Sequence, residues 1–455
     1  MDKKKLGSNV PLVGPDLQEI LSKDDYSTKL KEIFSDLHPY DIFSLIEDLP
    51  SEDIAKIISA LGKKGIEVFE YFPDEEKKDI FCCFSRRKMV DLLEEMSPDD
   101  RVDFVKKLPE DLIEDILPLV AQAERNDIKR LLQYKEGTAG AIMTTEYANV
   151  PPDITVEQAL QYLRRIAPDR ETIYYVYVTD KDRRLLGLVT LRELIIAKKG
   201  AKIEEIMHKD LIKVRVNDSS EDVAKKVRDY DFLAIPVVDD DDRLVGIITV
   251  DDVIDVIEEE DTEDMLTYGA SGIVHNYTQE STLSIAKKRI MWLLILVFVQ
   301  FISGAVLQMH SAELQAMIAL AFFIPVLSGM GGNAGSQSST TIIRGLATGE
   351  IEEDDFWKIF FKEVLVGLFI GVVLGLIGFG RAMLIQKDVR LGVTVFLSMI
   401  AVITAATTAG ATLPVMFKKL GLDPALMSGP FIASVVDIVS ILIYFEIARI
   451  VIIGW

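Results

Sequence analysis

Hydrophobic positions follow three different spacings along the chain. Between 36 and 134 a short phrase recurs: "LPSEDIAKII" from Leu49, "FPDEEKKDIF" from Phe72, "MSPDDRVDFV" from Met96 and "LPEDLIEDIL" from Leu108. In each phrase Pro and acids at the first turn complement a helix macrodipole, and the apolar residues that follow keep a helical period. The repetition predicts an acidic α-helical solenoid over 36–136, behind an N-terminal tail at 1–35. Between 137 and 257 the pattern becomes mixed and duplicated. "AIMTTEYANVPPDITVEQALQYL" returns as "EIMHKDLIKVRVNDSSEDVAKKV", and "RLLGLVTLREL" from Arg184 returns as "RLVGIITVDDV" from Arg243. Each copy, 137–200 and 201–257, reads as strand, helix, two apolar strands around Gly187 or Gly246, and a helix begun by Thr190 or Thr249.

Beyond 287 the chain is hydrophobic in blocks. Residues 290–309, 314–343, 364–380 and 391–417 hold no Asp, Glu, Lys or Arg, and each is near or above the roughly 17 to 25 residues that span a bilayer. A fifth block, 424–453, is broken by Asp437, Glu446 and Arg449. The expectation is a five-helix all-α transmembrane domain at 287–455, joined to the α/β pair by a connecting helix at 258–286. With the front half inside, the inner borders hold eight basic residues (Lys287, Lys288, Arg289, Arg344, Lys358, Lys362, Lys418, Lys419) against four outside (Arg381, Lys387, Arg390, Arg449). That bias predicts a multi-pass protein of the cell membrane with a cytoplasmic N-terminus and an outer C-terminus.

Charge sharpens this picture. Residues 1–290 carry 41 Lys and Arg against 61 Asp and Glu, whereas 291–455 carry 9 against 11. So acidic a soluble half repels nucleic acid and attracts cations. Met1 to Lys5 and the polar residues after them lack the apolar core of a signal peptide. Cys82 and Cys83 are the only cysteines and there are four histidines, so neither a disulfide framework nor a thiolate or imidazole metal site is expected. No nucleophile and base pair or phosphate loop points to an enzyme.

Three features carry candidate chemistry. The stretch "DDVIDVIEEEDTED", 251–264, places nine carboxylates in fourteen positions without a Lys or Arg. Asp251, Asp255, Glu259 and Glu263 recur at i, i+4 and repel by roughly a few tenths of a kcal/mol per pair, so a cation is called for unless the segment is only an exposed linker. The solenoid acids, Asp99 and Asp100 among them, form a solvated face or meet cations at a domain interface. In the second block, "IPVLSGMGGNAGSQSSTTII" adds Pro325, four glycines and polar groups including Asn333 to a membrane segment. Irregular backbone there lines an aqueous cavity; small residues otherwise serve helix packing.

Asp437 is the third feature. Thirteen uncharged residues precede it from Pro424 and eight follow. A central carboxylate costs about 2.5 to 3.5 kcal/mol on insertion scales, so it faces a cavity or a partner, or is a hydrogen-bonded packing carboxyl. Bordered by Gly429, Ala433 and Ser434, one such acid per chain forms a ring if two chains meet, and an oxygen ring without soft ligands suits a hydrated hard cation such as Mg²⁺. Glu446 and Arg449, at i, i+3, are expected to pair.

The duplicated α/β unit resembles a tandem cystathionine-β-synthase-type (CBS) regulatory pair. Such pairs often bind adenine nucleotides through a Thr and an Asp three positions on. Thr249 and Asp252 match that pattern, while the first copy offers Thr190 and Glu193. The resemblance therefore implies ATP as a candidate ligand, with Tyr175, Arg192 and Phe232 as further contacts, unless these residues are purely structural. Over nearly the whole chain, "PVLSGMGGNAGSQS", "LGLDPALMSGPFIASVVD" and "TVDDVIDVIEEEDTEDM" resemble the MgtE magnesium channel family. That resemblance implies a homodimeric Mg²⁺ channel for uptake, with Asp437 at the selectivity filter near Ala433, and with Mn²⁺, Co²⁺ and Ni²⁺ as further candidate ions. It also implies closure by cytosolic Mg²⁺ at Asp231, Asp252, Asp255, Glu260, Glu263, Asp264 and Asp423. Ser219 stands where the family can carry another acid, with Glu221 two residues on. Mg²⁺ would then hold the acidic helix against the pore. The rival readings are an ion-coupled divalent cation carrier and a membrane-tethered nucleotide sensor without transport.

Overall fold

In the computed structural model, which describes residues 14–23, 25–272, 277, 280–427 and 429–453, the chain divides into two compact units, Met1–Ile257 and Glu258–Trp455. The first unit opens with ten helices: α1 (Gly14–Leu21), α2 (Tyr26–Phe34), α3 (Pro39–Ile46), α4 (Ser51–Leu61), α5 (Lys63–Glu70), α6 (Asp74–Cys82), α7 (Arg86–Glu95), α8 (Pro98–Lys107), α9 (Glu110–Ile116) and α10 (Gln122–Leu131). The repeated Pro-acid phrases begin α4, α6, α8 and α9: Pro50, Pro73 and Pro109 precede the first helical residue and Pro98 occupies it. Proline needs no amide there and its φ is already set for the helix.

The stretch expected as a tail is partly helical. Leu17, Leu30 and Phe34 are fully buried in the solenoid core, because their apolar spacing lets α1 and α2 cap the first repeat. Residues 1–13 and 24 of that expected tail lie outside the described residues.

The α/β pair comprises β1 (Tyr147–Val150), α11 (Val156–Ile166), β2 (Thr172–Thr179), β3 (Leu185–Thr190), α12 (Leu191–Ile196), α13 (Ile203–Ile206), β4 (Val214–Arg215), α14 (Ser220–Tyr230), β5 (Ala234–Val238), β6 (Leu244–Thr249) and α15 (Val250–Tyr268). Two three-stranded sheets result, ordered β1-β2-β3 and β4-β5-β6, each with one parallel and one antiparallel pair. The copies exchange their leading segments. Thr144 bridges to Ile247 and His208 to Leu188; a Cβ on Gly246 would lie 2.7 Å from the Thr144 carbonyl oxygen and one on Gly187 2.9 Å from that of His208. The two repeated glycines are thus where each copy takes in the other's "IM" segment. The connecting helix expected at 258–286 instead begins at Val250, growing straight out of β6, and α15 ends at Tyr268; residues 273–276, 278 and 279 of that expectation lie outside the described residues.

The second unit contains α16 (Thr282–Met309), α17 (Ser311–Ala316), α18 (Ile324–Ala347), α19 (Phe356–Ile385), α20 (Val389–Lys419) and α21 (Gly429–Ala448). Among the described residues, four helical stretches are long and apolar enough to cross a membrane, and α21, which carries Asp437 and Glu446, packs with them. The glycine-rich block departs from the expected irregular backbone: α18 is continuous from Ile324, with Pro325 in its first turn. The chain breaks before it, in α17 and a 3-10 turn, Ile318–Phe322. The glycines serve contact instead, since a Cβ on Gly410 of α20 would lie 2.1 Å from the Gly335 carbonyl oxygen. Small residues let membrane helices approach until backbone meets backbone. Gly367, Gly371 and Gly375 do the same for α19 against α20, and Gly378 makes room there for the Val395 side chain.

Candidate ion pathway and regulatory carboxylates

Three positions on α18 face three on α21 in antiparallel order. Ser328 Oγ donates to Asp437 Oδ1. One turn along, a Cβ on Gly332 would lie 3.3 Å from the Ala433 Cβ. One turn further, Ser336 Oγ donates to the Gly429 carbonyl at 3.1 Å. Steps of four residues keep all six on facing stripes. From α16, Gln300 Nε2 donates to Asp437 Oδ2 at 3.0 Å. The half-buried acid therefore has a donor on each oxygen. Asn333, with Gly329 and Gln337 one turn to either side, is exposed on α18; a polar strip on a membrane helix calls for water or another subunit rather than lipid.

Near the far end of this pair, Tyr268 closes α15. Its hydroxyl donates to the Ser336 carbonyl at 3.0 Å, lies 2.6 Å from Thr340 Oγ1, and would meet a Cβ on Gly429 at 3.2 Å. On the opposite side of α18, Ser338 Oγ donates to Glu363 Oε2 at 2.7 Å. Glu446 and Arg449 pair as expected, at 3.6 Å.

In the first unit, acids from separate elements converge. Asp99 on α8 has its carboxyl well above the ordinary range, first because it is buried and then because Asp252, Asp100 and Glu171 lie near; its Oδ1 is buried without a hydrogen-bond partner. Asp252 accepts from the Thr249 hydroxyl at 2.6 Å, yet burial, with Asp251 and Asp100, pushes it up to about 6. Burial and Asp100 push Glu70 up to about 8 against the pull of Lys77. Glu171 rises to about 7 through desolvation by surrounding protein and through Asp252 and Asp251; much of its own surface stays open, so the neighbouring charges are the firmer cause. An ionised group in such company is destabilised by both desolvation and like charge.

The remaining predicted residues are spread out. Glu221 is taken by Lys225 at 2.7 Å. Asp231 ends α14 in a left-handed turn, φ 53°. Asp255, Glu260, Glu263 and Asp264 all lie on α15, the first and third exposed and the others half-buried. Asp423 is exposed and accepts from the Ala425 amide at 2.8 Å. Among the described residues no three His, Cys, Asp or Glu side chains are arranged to hold a metal ion.

Of the candidate nucleotide contacts, Tyr175 pairs in register with Thr190 and Arg192 is exposed beyond it. Glu193 is committed: Oε2 accepts from the Thr190 amide and hydroxyl, both at 2.9 Å, and Oε1 lies 2.6 Å from His208 Nε2. Phe232 stacks on Tyr230 with ring centroids 5.6 Å apart.

Sequence reading passed over Gln300, Ser328, Tyr268, Glu70, Glu171 and Glu363. A Gln at the centre of the apolar 290–309 block was a usable signal; the others become visible only through tertiary contact.

Comparison with known proteins agrees with this architecture. Residues 17–137 match a family model described as the MgtE intracellular N domain, 139–200 and 203–259 match CBS domains, and 324–447 match the MgtE divalent cation transporter model. A magnesium transporter MgtE of Thermus thermophilus is 38% identical over 95% of this chain and 97% of its own. One from Enterococcus faecalis is 37% identical over 94% of each. Among solved structures, the soluble part of a magnesium transporter covers 54% of this chain and 97% of its own at 38% identity, TM-score 0.51. The cytosolic domain of the Mg²⁺ channel MgtE in complex with ATP covers 53% of this chain and 98% of its own at 38% identity, TM-score 0.50. With its solenoid, CBS pair and apolar helices in the same order, this chain belongs to the MgtE family of divalent cation transporters.

Proposed function

We propose that the protein is a Mg²⁺-selective channel for magnesium uptake, a homodimer whose permeation path runs along α18 and α21. The observation that carries this reading is Asp437, a membrane carboxylate held in place opposite Ser328 of α18, the helix that also bears the exposed polar strip around Asn333. Similarity to magnesium transporters over nearly full length supports Mg²⁺ as the substrate. The regulatory reading is that cytosolic Mg²⁺ closes the channel by binding the carboxylates of the first unit and of α15. Supporting this, the buried, unpartnered Asp99 Oδ1 lies near Asp100, Asp252 and Glu171, a concentration of negative charge that attracts divalent cations. ATP is a second regulatory ligand in this proposal. The Thr190 and Glu193 corner does not fit a ribose, because both Glu193 oxygens are engaged within the protein, which leaves the Thr249, Asp252 and Phe232 corner. The N-terminus is assigned to the cytoplasm and the C-terminus to the outside on the eight-to-four basic bias.

Reconstituted full-length protein tests this directly. Mg²⁺ flux into liposomes is expected to persist when Na⁺ and proton gradients are collapsed. Flux that stops under those conditions would favour the coupled carrier, and no flux at all would favour a nucleotide sensor.

A further inference from the structure

The two donors on Asp437 do more than hold it. A carboxylate presents about four lone-pair positions on two oxygens. In this chain Ser328 takes one position on Oδ1 and Gln300 one on Oδ2, and they do so from different helices, α18 and α16. A carboxylate fixed from both sides has lost the freedom to turn both oxygens onto one bare ion. It keeps the ability to accept hydrogen bonds from water. Mg²⁺ sheds its water shell reluctantly, whereas Ca²⁺ readily takes carboxylates directly and often through both oxygens.

We propose that Gln300 and Ser328 are positioning residues that set ion selectivity by reserving one lone pair on each Asp437 oxygen, so that the acid meets a hydrated ion through its water and rejects direct, bidentate binding of Ca²⁺. The inference rests on the reading of Asp437 as the permeation acid. It assigns to Gln300, the polar side chain within the apolar stretch 290–302 of α16, a purpose that helix packing does not require: its amide reaches into the unit to the one acid of α21 that Arg449 does not pair.

The test uses full-length protein in liposomes, with Mg²⁺ influx read by a fluorescent indicator and Ca²⁺ added as competitor. At 328 the substitutions Ser328→Thr and Ser328→Val have nearly the same shape and differ in the hydroxyl. At 300, Gln300→Met keeps the length and removes the amide. Ser328→Thr should behave as wild type. Ser328→Val and Gln300→Met should keep Mg²⁺ influx but reach half-block at about three- to tenfold lower Ca²⁺, with the double variant lower still. Wild-type Ca²⁺ sensitivity in Ser328→Val, Gln300→Met and the double variant would overturn the positioning role. Asp437→Ala in the same assay separates the two levels: unchanged Mg²⁺ influx there removes the permeation reading itself, while abolished influx together with unchanged Ca²⁺ sensitivity in the other variants removes only this inference.

Discussion

The hydroxyl of Tyr268 donates to the carbonyl oxygen of Ser336, 3.0 Å away, and so ties the last residue of α15 to the middle of α18. Thr340 Oγ1, at 2.6 Å, makes the tie two-pronged. Removing the hydroxyl while keeping the ring, by Tyr268→Phe, costs the state that contains these contacts about 0.5 to 1.5 kcal/mol per bond. If that state is the closed one, the variant should need up to about tenfold more internal Mg²⁺ to close for each 1.4 kcal/mol lost. Patch recording with Mg²⁺ varied on the cytosolic face measures this; an unchanged closing concentration would remove Tyr268 from gating.

The carboxylates of the first unit predict a pH dependence of defined sign. Glu70, Glu171 and Asp252 sit at about 8, 7 and 6 in the folded protein, above their ordinary values of 4.5, 4.5 and 3.8. The folded chain therefore binds these protons more tightly than the unfolded chain. Their contribution to stability is fully present below about pH 4 and is lost as pH rises through 6 to 8. Without divalent ions, amide protection around residues 97–101 and 250–255 of the full-length protein, taken relative to the base-catalysed intrinsic exchange rate at each pH, should fall from pH 5.5 to pH 8. Mg²⁺ should restore protection at pH 8 and add little at pH 5.5. Protection indifferent to both pH and Mg²⁺ would contradict a cation site among these acids.

Much of this was legible in the sequence, and the limits have physical causes. The Pro-acid helix starts and the duplicated strands around Gly187 and Gly246 are local signals and fall where they were expected; the isolated Asp437 is a local signal too, and its permeation role is a proposal. The glycine run after Pro325 was misleading because glycine serves both irregular backbone and close helix contact; Gly335 against Gly410 decides for contact. The partners of Asp437 were hidden because Gln300 and Ser328 lie 137 and 109 residues away along the chain. Glu70 and Glu171 looked like any solvated acid until the fold brought them near Asp100 and Asp252.

Close packing in the membrane unit makes its own prediction. A methyl on Gly410 would strike the Gly335 carbonyl, backbone that has no side chain to move aside. Gly410→Ala should destabilise the unit by about 1 to 3 kcal/mol, as overpacking does. Its melting temperature in detergent should fall by roughly 2 to 4 °C per kcal/mol. Gly380→Ala, where a Cβ would meet nothing within 4 Å, should melt as wild type and serves as the control.

The acidic helix supplies a test of the sensor. A bridging divalent ion offers oxygen coordination that an amide does not replace, so removing charge from α15 should not mimic Mg²⁺. The combined variant Asp252→Asn, Asp255→Asn, Glu260→Gln, Asp264→Asn is expected to conduct normally and to need more internal Mg²⁺ to close, by about tenfold for each 1.4 kcal/mol of lost preference. Closure at the wild-type concentration would make α15 a linker and place the sensor among the solenoid acids.

The central claim is that Asp437 is the acid a permeating ion meets. Single-channel recording of reconstituted wild-type and Asp437→Ala protein, with Mg²⁺ as the charge carrier and the cytosolic face kept low in Mg²⁺, tests it most directly. Wild type should pass Mg²⁺ current, and the variant, still eluting at the same oligomeric size, should lose that current or its preference for Mg²⁺. Mg²⁺ current of wild-type size and selectivity in Asp437→Ala would contradict the account.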